Sequence, residues 1–240
     1  MCPSEPPPAG IAEPKSLPPP PRGRYPRRMA SLPHMEKTAR AAHSDVELAV
    51  LDAPILARGM LTSFLLHLAE AGAFDPVWSD QIHATWARAL QASRPVIPVE
   101  RIRHRRVEMD RAFPVASVIA SRDAQDEVLA HCATAEERKN AHVLATALSA
   151  RAAVIVTDAA FGLTGVMTRL WHDIAVLSAD AWCLELLDRH PETVLHGARA
   201  HRASLSRGDG SIDGWLTLLR EPRTGLPLTA EVLSGQRDRL

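Results

Sequence analysis

Apolar and polar positions alternate in blocks that divide the chain from residue 46 onward into short strands and helices. Apolar, β-prone runs occur at Val46–Leu51, Ala153–Thr157 and Ile174–Leu177. The second of these is continuous, as is typical of a strand buried on both faces of a parallel sheet. Helical spacing follows the first run over Ile55–Ala71 and precedes the second over Ala135–Ala150. The alternation predicts an α/β fold with a central parallel sheet flanked by helices in three layers.

Several shorter blocks complete this prediction. They are helices at Trp78–Leu90, Val99–Phe113 and Ala179–Leu187, and a short strand at Val115–Ile119. Ser79 and Ser178 are expected to act as N-caps of two of these helices, because a serine hydroxyl accepts a hydrogen bond from the first helical turn. Pro114 ends the Val99 helix, and Pro54 suits the first turn of the helix after the first strand.

Composition separates three regions of the chain. Residues 1–45 are rich in proline and arginine and are predicted to be a disordered tail. Residues 46–182 form the α/β domain, and residues 183–240 are predicted to be a helical C-terminal extension. The tail has several interpretations, namely a ligand for a proline-binding module, a basic arm that contacts RNA, or a dispensable segment. A further interpretation of the tail is that the start codon is placed too far upstream, since Met29 and Met35 are alternative starts.

Charge and cysteine content limit the classes of function. The 28 basic and 28 acidic residues balance, so any contact with nucleic acid has to come from a local basic patch. Three separated cysteines without a CxxC motif argue against a zinc site or a disulfide framework and favour a reducing cytoplasm. No signal peptide or membrane span is expected, because charged and polar side chains interrupt the most apolar segment, Ile55–Phe74.

Acidic residues follow three predicted strands. Asp52 and Asp158 come directly after the first two apolar runs, and Asp180 lies shortly after the third. In open α/β sheets ligands bind beyond the carboxyl ends of the strands, and Mg²⁺ or Mn²⁺ prefers carboxylate oxygens. Such ions activate water and polarise a phosphodiester. The alternative interpretation is that each aspartate only caps the helix after it.

Four blocks in order resemble PIN domains, the fold of metal-dependent ribonucleases, and in particular the VapC-type toxins. The blocks are Val50–Leu56, Trp78–Ile82, Asn140–Ala145 and Val154–Thr157, and Leu186–Val194 resembles the C-terminal helical extension of some of these toxins. The resemblance implies hydrolysis of RNA with Mg²⁺ or Mn²⁺, an antitoxin partner and a homodimer.

The acidic site of that family is incomplete in this chain. Asp52 matches the first family aspartate, but Thr85 stands where the family has glutamate and Asn140 where it has a second aspartate. Asp158 lies near a fourth acidic position but is shifted by a shortened loop. Loss of two negative charges is expected to weaken attraction for a divalent cation. The predicted catalytic set is therefore Asp52, Asp158, Asn140 and Thr85, and the predicted metal ligands are Asp52 and Asp158.

Other residues near the missing acids have open interpretations. Glu137 and Asp80 each lie about one helical turn from a missing acidic position. Each is interpreted either as a partial substitute for the missing acid or as a solvent-facing side chain. His142 falls on the histidine of the family motif and is interpreted as a packed helix residue.

A basic helix is predicted to contact RNA phosphates or an acidic antitoxin segment, with a solvated helix face as the alternative. Its arginines are Arg101, Arg103, Arg105 and Arg106.

Three hypotheses for function follow. The first is a VapC-type ribonuclease with Asp52-bound Mg²⁺. The second is a degenerate PIN domain that binds RNA or a protein partner without cleavage, which Thr85 and Asn140 favour. The third is a proline-rich interaction protein in which the tail carries the function.

Overall fold

A computed structural model describes residues 46–159, 162–170, 173–205 and 211–240. The predicted disordered tail lies outside these residues. Four parallel strands form one sheet in the order β2-β1-β3-β4. Their bounds are β1 Leu48–Leu51, β2 Asp75–Val77, β3 Val154–Val156 and β4 Ala175–Leu177. Helices flank this sheet, so the predicted α/β class is confirmed.

Helices occupy most of the remaining described chain. From β1 to β3 they are α1 Ala53–Leu56, α2 Gly59–Glu70, α3 Asp80–Ser93, α4 Val99–Ala112, α5 Arg122–Ala130 and α6 Ala135–Ala150. After β3 they are α7 Thr164–Leu170, α8 Ala179–Arg189, α9 Pro191–Ser204, α10 Ile212–Arg220 and α11 Pro227–Ser234, followed by a short 3-10 turn at Arg237–Arg239.

The two central strands form the middle of the core. All three residues of β3 are buried, as the continuous apolar run predicts, and Val50 and Leu51 of β1 are fully buried beside them. Helix α6 packs on both strands. Burial on both faces removes the alternation of apolar and polar residues that an exposed sheet would show.

Helix α6 has the bounds that the sequence predicts, and its ends explain why. Thr134 accepts a hydrogen bond from the Glu137 amide at 3.2 Å, while the Glu137 carboxylate accepts from the Thr134 amide at 3.0 Å. This reciprocal capping box satisfies amides of the first turn. Arg151 ends the helix in a left-handed conformation with φ of 55°.

Both predicted serine caps are present. The Ser79 hydroxyl accepts from the Ile82 amide at 3.4 Å, and the Ser178 hydroxyl accepts from the Ala181 amide at 3.2 Å. Each hydroxyl accepts a hydrogen bond from an amide at the start of its helix that has no partner within the helix.

Two predicted elements differ in the structure. The single helix expected over Ile55–Ala71 is divided into α1 and α2, because the backbone at Arg58 is extended with φ of −97° and ψ of 99°. The strand expected at Val115–Ile119 is reduced to one bridge between Trp78 and Ser117. A bridge of one residue lengthens the sheet at the β2 edge without adding a strand.

The helices after β4 pack against the α/β domain. Helix α9 lies along α2, and helix α11 packs on α8. Asp180, a candidate acid in the sequence, accepts hydrogen bonds from the amides of Leu228 at 3.0 Å and Thr229 at 2.8 Å. Asp180 therefore caps α11, and its carboxylate is committed to holding the C-terminal helices.

Within the described residues, no helix combines the length and the apolar character that a membrane crossing requires. Cys132 and Cys183 are both buried free thiols.

Candidate functional site

The carboxyl ends of β1 and β3 bring Asp52 and Thr157 together. The parallel register pairs Leu51 with Val156, so the next residue of each strand lies side by side. The Asp52 amide donates to the Val156 carbonyl at 3.1 Å, which extends the pairing by one residue. These two side chains form the centre of the site, and they lie where ligands bind in open parallel sheets.

The Asp52 carboxylate is buried and doubly hydrogen-bonded. One oxygen accepts from the Ala53 amide at 2.6 Å, and the other accepts from the Thr157 hydroxyl at 2.7 Å. Burial raises the pKa of this carboxyl above its ordinary value, against the opposing effects of Thr157, Ala53 and His142. The side chain therefore caps α1 and ties the ends of two strands, and its charge is poorly solvated.

Asp158, the second predicted metal ligand, faces a different partner. One of its carboxylate oxygens pairs with the Arg58 guanidinium, and the other accepts from the Ala179 amide at 3.4 Å at the start of α8. Arg58 stands in the extended link between α1 and α2. The pairing places a positive charge beside the carboxylate that the sequence assigns to a cation.

Thr85 and Asn140 make contacts within their own helices. The Thr85 hydroxyl donates to the Gln81 carbonyl at 2.8 Å on α3. The Asn140 amide lies 3.4 Å from a Glu136 carboxylate oxygen on α6. A Cβ atom at Gly162 would lie 2.2 Å from the Asn140 side-chain nitrogen, so Gly162 lies directly against this amide.

The two possible substitute acids differ from each other. Asp80 is exposed, as expected, and it pairs with Arg106. Glu137 is buried, contrary to the expectation that it faces solvent, and it pairs with Arg169 at 2.6 Å. The hydrogen bond from Arg169 lowers the pKa of Glu137 to about 2. Both carboxylates are used in ion pairs within the fold.

His142 is half-buried on α6, consistent with a packed residue. Its Nδ1 lies 3.0 Å from the Lys139 carbonyl, which can only accept, so Nδ1 carries the proton. Nε2 is buried without a hydrogen-bond partner. Burial lowers the pKa of His142, and the charge of Asp52 acts in the opposite direction. Burial therefore favours the neutral form of this imidazole.

Few oxygen ligands for Mg²⁺ or Mn²⁺ are grouped among the described residues of this site. Such ions take several oxygen ligands, mainly carboxylates and water. In the part of the chain that the structure describes, no three His, Cys, Asp or Glu side chains are grouped for a metal ion. Asp52 supplies a single carboxylate, and Asp158 is neutralised by Arg58. The contacts that Asp52 and Asp158 make are hydrogen bonds and an ion pair.

The four arginines of the predicted basic cluster differ in their contacts and exposure. The Arg105 guanidinium lies 5.1 Å above the Trp86 ring, and burial lowers its pKa to about 10. Arg106 pairs with Asp80 and also with Asp110. Arg101 and Arg103 are exposed on the surface of α4.

The exposed face of α4 is both basic and apolar. Val99, Arg103, Val107 and Arg111 follow each other at four-residue spacing and are all exposed, and we call them the valine–arginine stripe. Val107 is 53% exposed, and Val96 in the preceding turn is 92% exposed. Apolar side chains at this exposure, alternating with cations, are suited to a partner that is both apolar and acidic.

Sequence reasoning does not identify Arg58, Thr157 or the valines of α4 as part of the site. Arg58 lies 100 positions from Asp158, so its pairing has no local signal. Thr157 was detectable in principle, because it ends the same strand that precedes Asp158. The valines are overlooked because the arginines around them dominate the pattern.

Comparison with known proteins gives no match to a family model, to a curated protein sequence or to a solved structure. The resemblance to PIN domains therefore rests on the four sequence blocks and on Leu186–Val194 alone.

Proposed function

We propose that this chain is a degenerate PIN-type α/β domain that binds an acidic protein segment and does not cleave RNA. The observation that carries the proposal is the commitment of the candidate acids to the protein itself. Both oxygens of Asp52 accept hydrogen bonds from Ala53 and Thr157, and Asp158 is paired with Arg58. Hydrolysis of a phosphodiester by metal-bound hydroxide requires acids that are available to cations.

The surface of α4 supports a protein partner over RNA. Arg105 stacks on Trp86, and Arg106 pairs with Asp80 and Asp110 at the surface, which reduces the charge available for phosphates. The valine–arginine stripe adds apolar area that a phosphate backbone does not use. The resemblance to VapC-type toxins supplies the class of partner, an antitoxin-type segment.

The test of catalysis uses structured RNA with millimolar Mn²⁺ or with EDTA. We expect the RNA to remain intact with wild-type protein in both conditions. Asp52→Asn is the matched variant, because asparagine also caps a helix while it removes the charge. The position of Asp52 at a strand end favours the alternative, a ribonuclease. Mn²⁺-dependent cleavage that Asp52→Asn abolishes would establish that function.

The test of binding compares two labelled probes of equal negative charge by fluorescence anisotropy. One is a peptide in which glutamate and leucine alternate, and the other is a single-stranded RNA. We expect the peptide to bind more tightly, and Arg103→Glu to weaken it about tenfold, or about 1.4 kcal/mol. Arg220→Glu on α10 is the control with the same change of charge. Tighter binding of the RNA would contradict the proposal.

A further inference from the structure

An apolar groove lies among the C-terminal helices, far from α4 in sequence. Its apolar lining consists of Leu184 and Leu187 from α8, Pro191 and Leu195 from α9, and Val232 from α11. The groove has a volume of about 320 Å³ and is open to solvent along one side. This volume falls at the lower end of the range of ligand-binding pockets, about 300–1,000 Å³.

The apolar surface continues beyond the groove on α11. Val232 is 44% exposed, and Leu228, one turn earlier on the same helix, is 55% exposed. Two apolar side chains at four-residue spacing on one helix favour contact with another chain segment. Asp188 of α8 also lines the groove and is exposed, so a carboxylate stands beside the apolar surface.

The described part of the chain begins beside this groove. Glu47, the second described residue, pairs with Arg189 at the end of α8. Arg189 lies between Asp188 and Pro191, which both line the groove. The 45 residues that precede Val46 therefore leave the domain within one or two helical turns of the groove.

One stretch of those residues matches the groove chemically. Met29, Leu32 and Met35 are apolar at three-residue spacing, and Arg27 and Arg28 precede them. Methionine adapts to irregular apolar surfaces, and the arginines complement the exposed Asp188. Residues 36–45 would connect the stretch to the domain, and ten residues span up to about 35 Å when extended. The stretch is therefore within reach of the groove.

We infer that residues 27–35 of this chain dock in the groove between α8, α9 and α11. The attachment gives the segment an effective concentration in the millimolar range, so weak contacts suffice for occupancy. Docking covers the exposed valine and leucine of α11. The inference is independent of what α4 binds and of whether Asp52 supports catalysis.

The test uses a labelled peptide of residues 27–37 and two forms of the protein, the full chain and a chain that lacks residues 1–35. The shorter chain keeps every residue that the structure describes. We expect the peptide to bind the shorter chain and to require at least about tenfold higher concentration for the full chain, because the attached segment competes. Equal binding to both forms, or binding to neither, would overturn the inference.

Two variants locate the contact. Val232→Glu in the shorter chain is expected to abolish peptide binding, and Leu129→Glu on α5 is the control at the same exposure. Leu32→Asp in the full chain is expected to make it bind peptide as the shorter chain does, whereas Leu17→Asp is expected to have no effect. A full chain that sediments as a dimer while the shorter chain is a monomer would show exchange between copies and would overturn docking within one chain.

Discussion

Buried ionisable side chains in this protein are held in place by specific partners, and His201 shows the consequence most clearly. It is fully buried on α9, and its Nδ1 accepts a hydrogen bond from the Trp215 indole at 3.1 Å. Burial, reinforced by the charge of His67, lowers the pKa of His201 to about 3. Folding therefore keeps this imidazole neutral at pH values where the unfolded chain would protonate it.

The pH dependence of stability should reflect His201. Because its pKa is lower in the folded state, its contribution is fully present above pH of about 6.5 and is lost as pH falls toward 3. Between pH 6.5 and 4.5 we expect His201 by itself to lower the free energy of unfolding by a few kcal/mol, at about 1.4 kcal/mol per pH unit. Urea unfolding followed by circular dichroism across this range measures the slope.

His201→Gln is the variant for this prediction, because the glutamine amide oxygen can still accept from Trp215 and does not titrate. Its unfolding free energy should change less between pH 6.5 and 4.5 than that of wild type. Glu137 and Asp213, whose pKa values are lowered by Arg169 and Arg237, lose their contributions at more acidic pH. Equal slopes in wild type and variant would contradict the role of His201.

Asp52 behaves in the opposite sense. Burial raises its pKa, so its favourable contribution is present below the unfolded pKa of about 3.8 and is lost as pH rises through the folded value. Asp52→Asn should therefore leave the melting temperature at pH 7 unchanged or raise it by a few degrees. The gain should shrink in acid, where the wild-type carboxyl is protonated.

Asp180→Asn is the contrasting variant for Asp52→Asn. The two oxygens of Asp180 accept from the amides of Leu228 and Thr229 and from the Thr229 hydroxyl, and an asparagine nitrogen cannot accept. We expect a loss of about 1–3 kcal/mol. Differential scanning calorimetry distinguishes the two, and a larger loss for Asp52→Asn than for Asp180→Asn would contradict the prediction.

The fate of the candidate acids shows where sequence reasoning stops. Asp52 was placed correctly at a strand end, because the apolar run before it has a clear limit. The pairing of Asp158 with Arg58 depends on a break between two helices that apolar spacing does not reveal. The role of Asp180 as the cap of α11 joins residues 49 positions apart. Local patterns predict a residue's element but not its distant partner.

At the scale of elements, helices α2 and α9 approach each other closely at Gly197. A Cβ atom there would lie 2.8 Å from the His67 carbonyl oxygen and 2.9 Å from the Leu68 Cα, both on the α2 backbone. Backbone atoms cannot move aside as a flexible side chain can. A residue larger than glycine would therefore separate the two helices.

Gly197→Ala should destabilise the protein by about 1–3 kcal/mol, since overpacking outweighs the gain in helix propensity. Gly59→Ala at the start of α2 is the control, because no atom lies within 4 Å of its added Cβ. That variant is expected to be neutral or stabilising by about 0.4–1 kcal/mol. Chemical denaturation of both variants gives the comparison, and equal stabilities would refute the close contact.

The elements themselves differ in how far the sequence predicts them. Helix α6 and its neighbour β3 were predicted because a capping box and a continuous apolar run are strong local signals. Strand β2 was not predicted, because it has three residues and one of them is Pro76. Helix α5, Arg122–Ala130, was not predicted either, since Ala124 and Val128 are its only buried residues and give little periodic signal.

At the scale of the whole molecule, the helices after β4 are packed into the α/β domain. Val194 and Ala198 of α9 are fully buried, and the α9–α2 contact is the most extensive between helices. Helix α8 crosses the predicted boundary at residues 182 and 183. The residues on the two sides of the predicted boundary therefore belong to one helix.

Thermal unfolding is expected to be a single transition. Fluorescence of the tryptophans, with Trp215→Phe used to isolate the signal of α10, and circular dichroism at a helical wavelength should give the same midpoint. The two probes report on the C-terminal helices and on the whole chain. Separate transitions would show that the C-terminal helices unfold on their own.

The two margins of the sheet have a consequence for self-association. Strand β4 has three residues, and at the other side Pro76 of β2 lacks an amide hydrogen beside the single bridge to Ser117. Short edge strands and proline disfavour edge-to-edge pairing with strands of neighbouring molecules. Concentrated solutions of the folded protein should therefore resist fibril formation, and any aggregation should begin from unfolded chains.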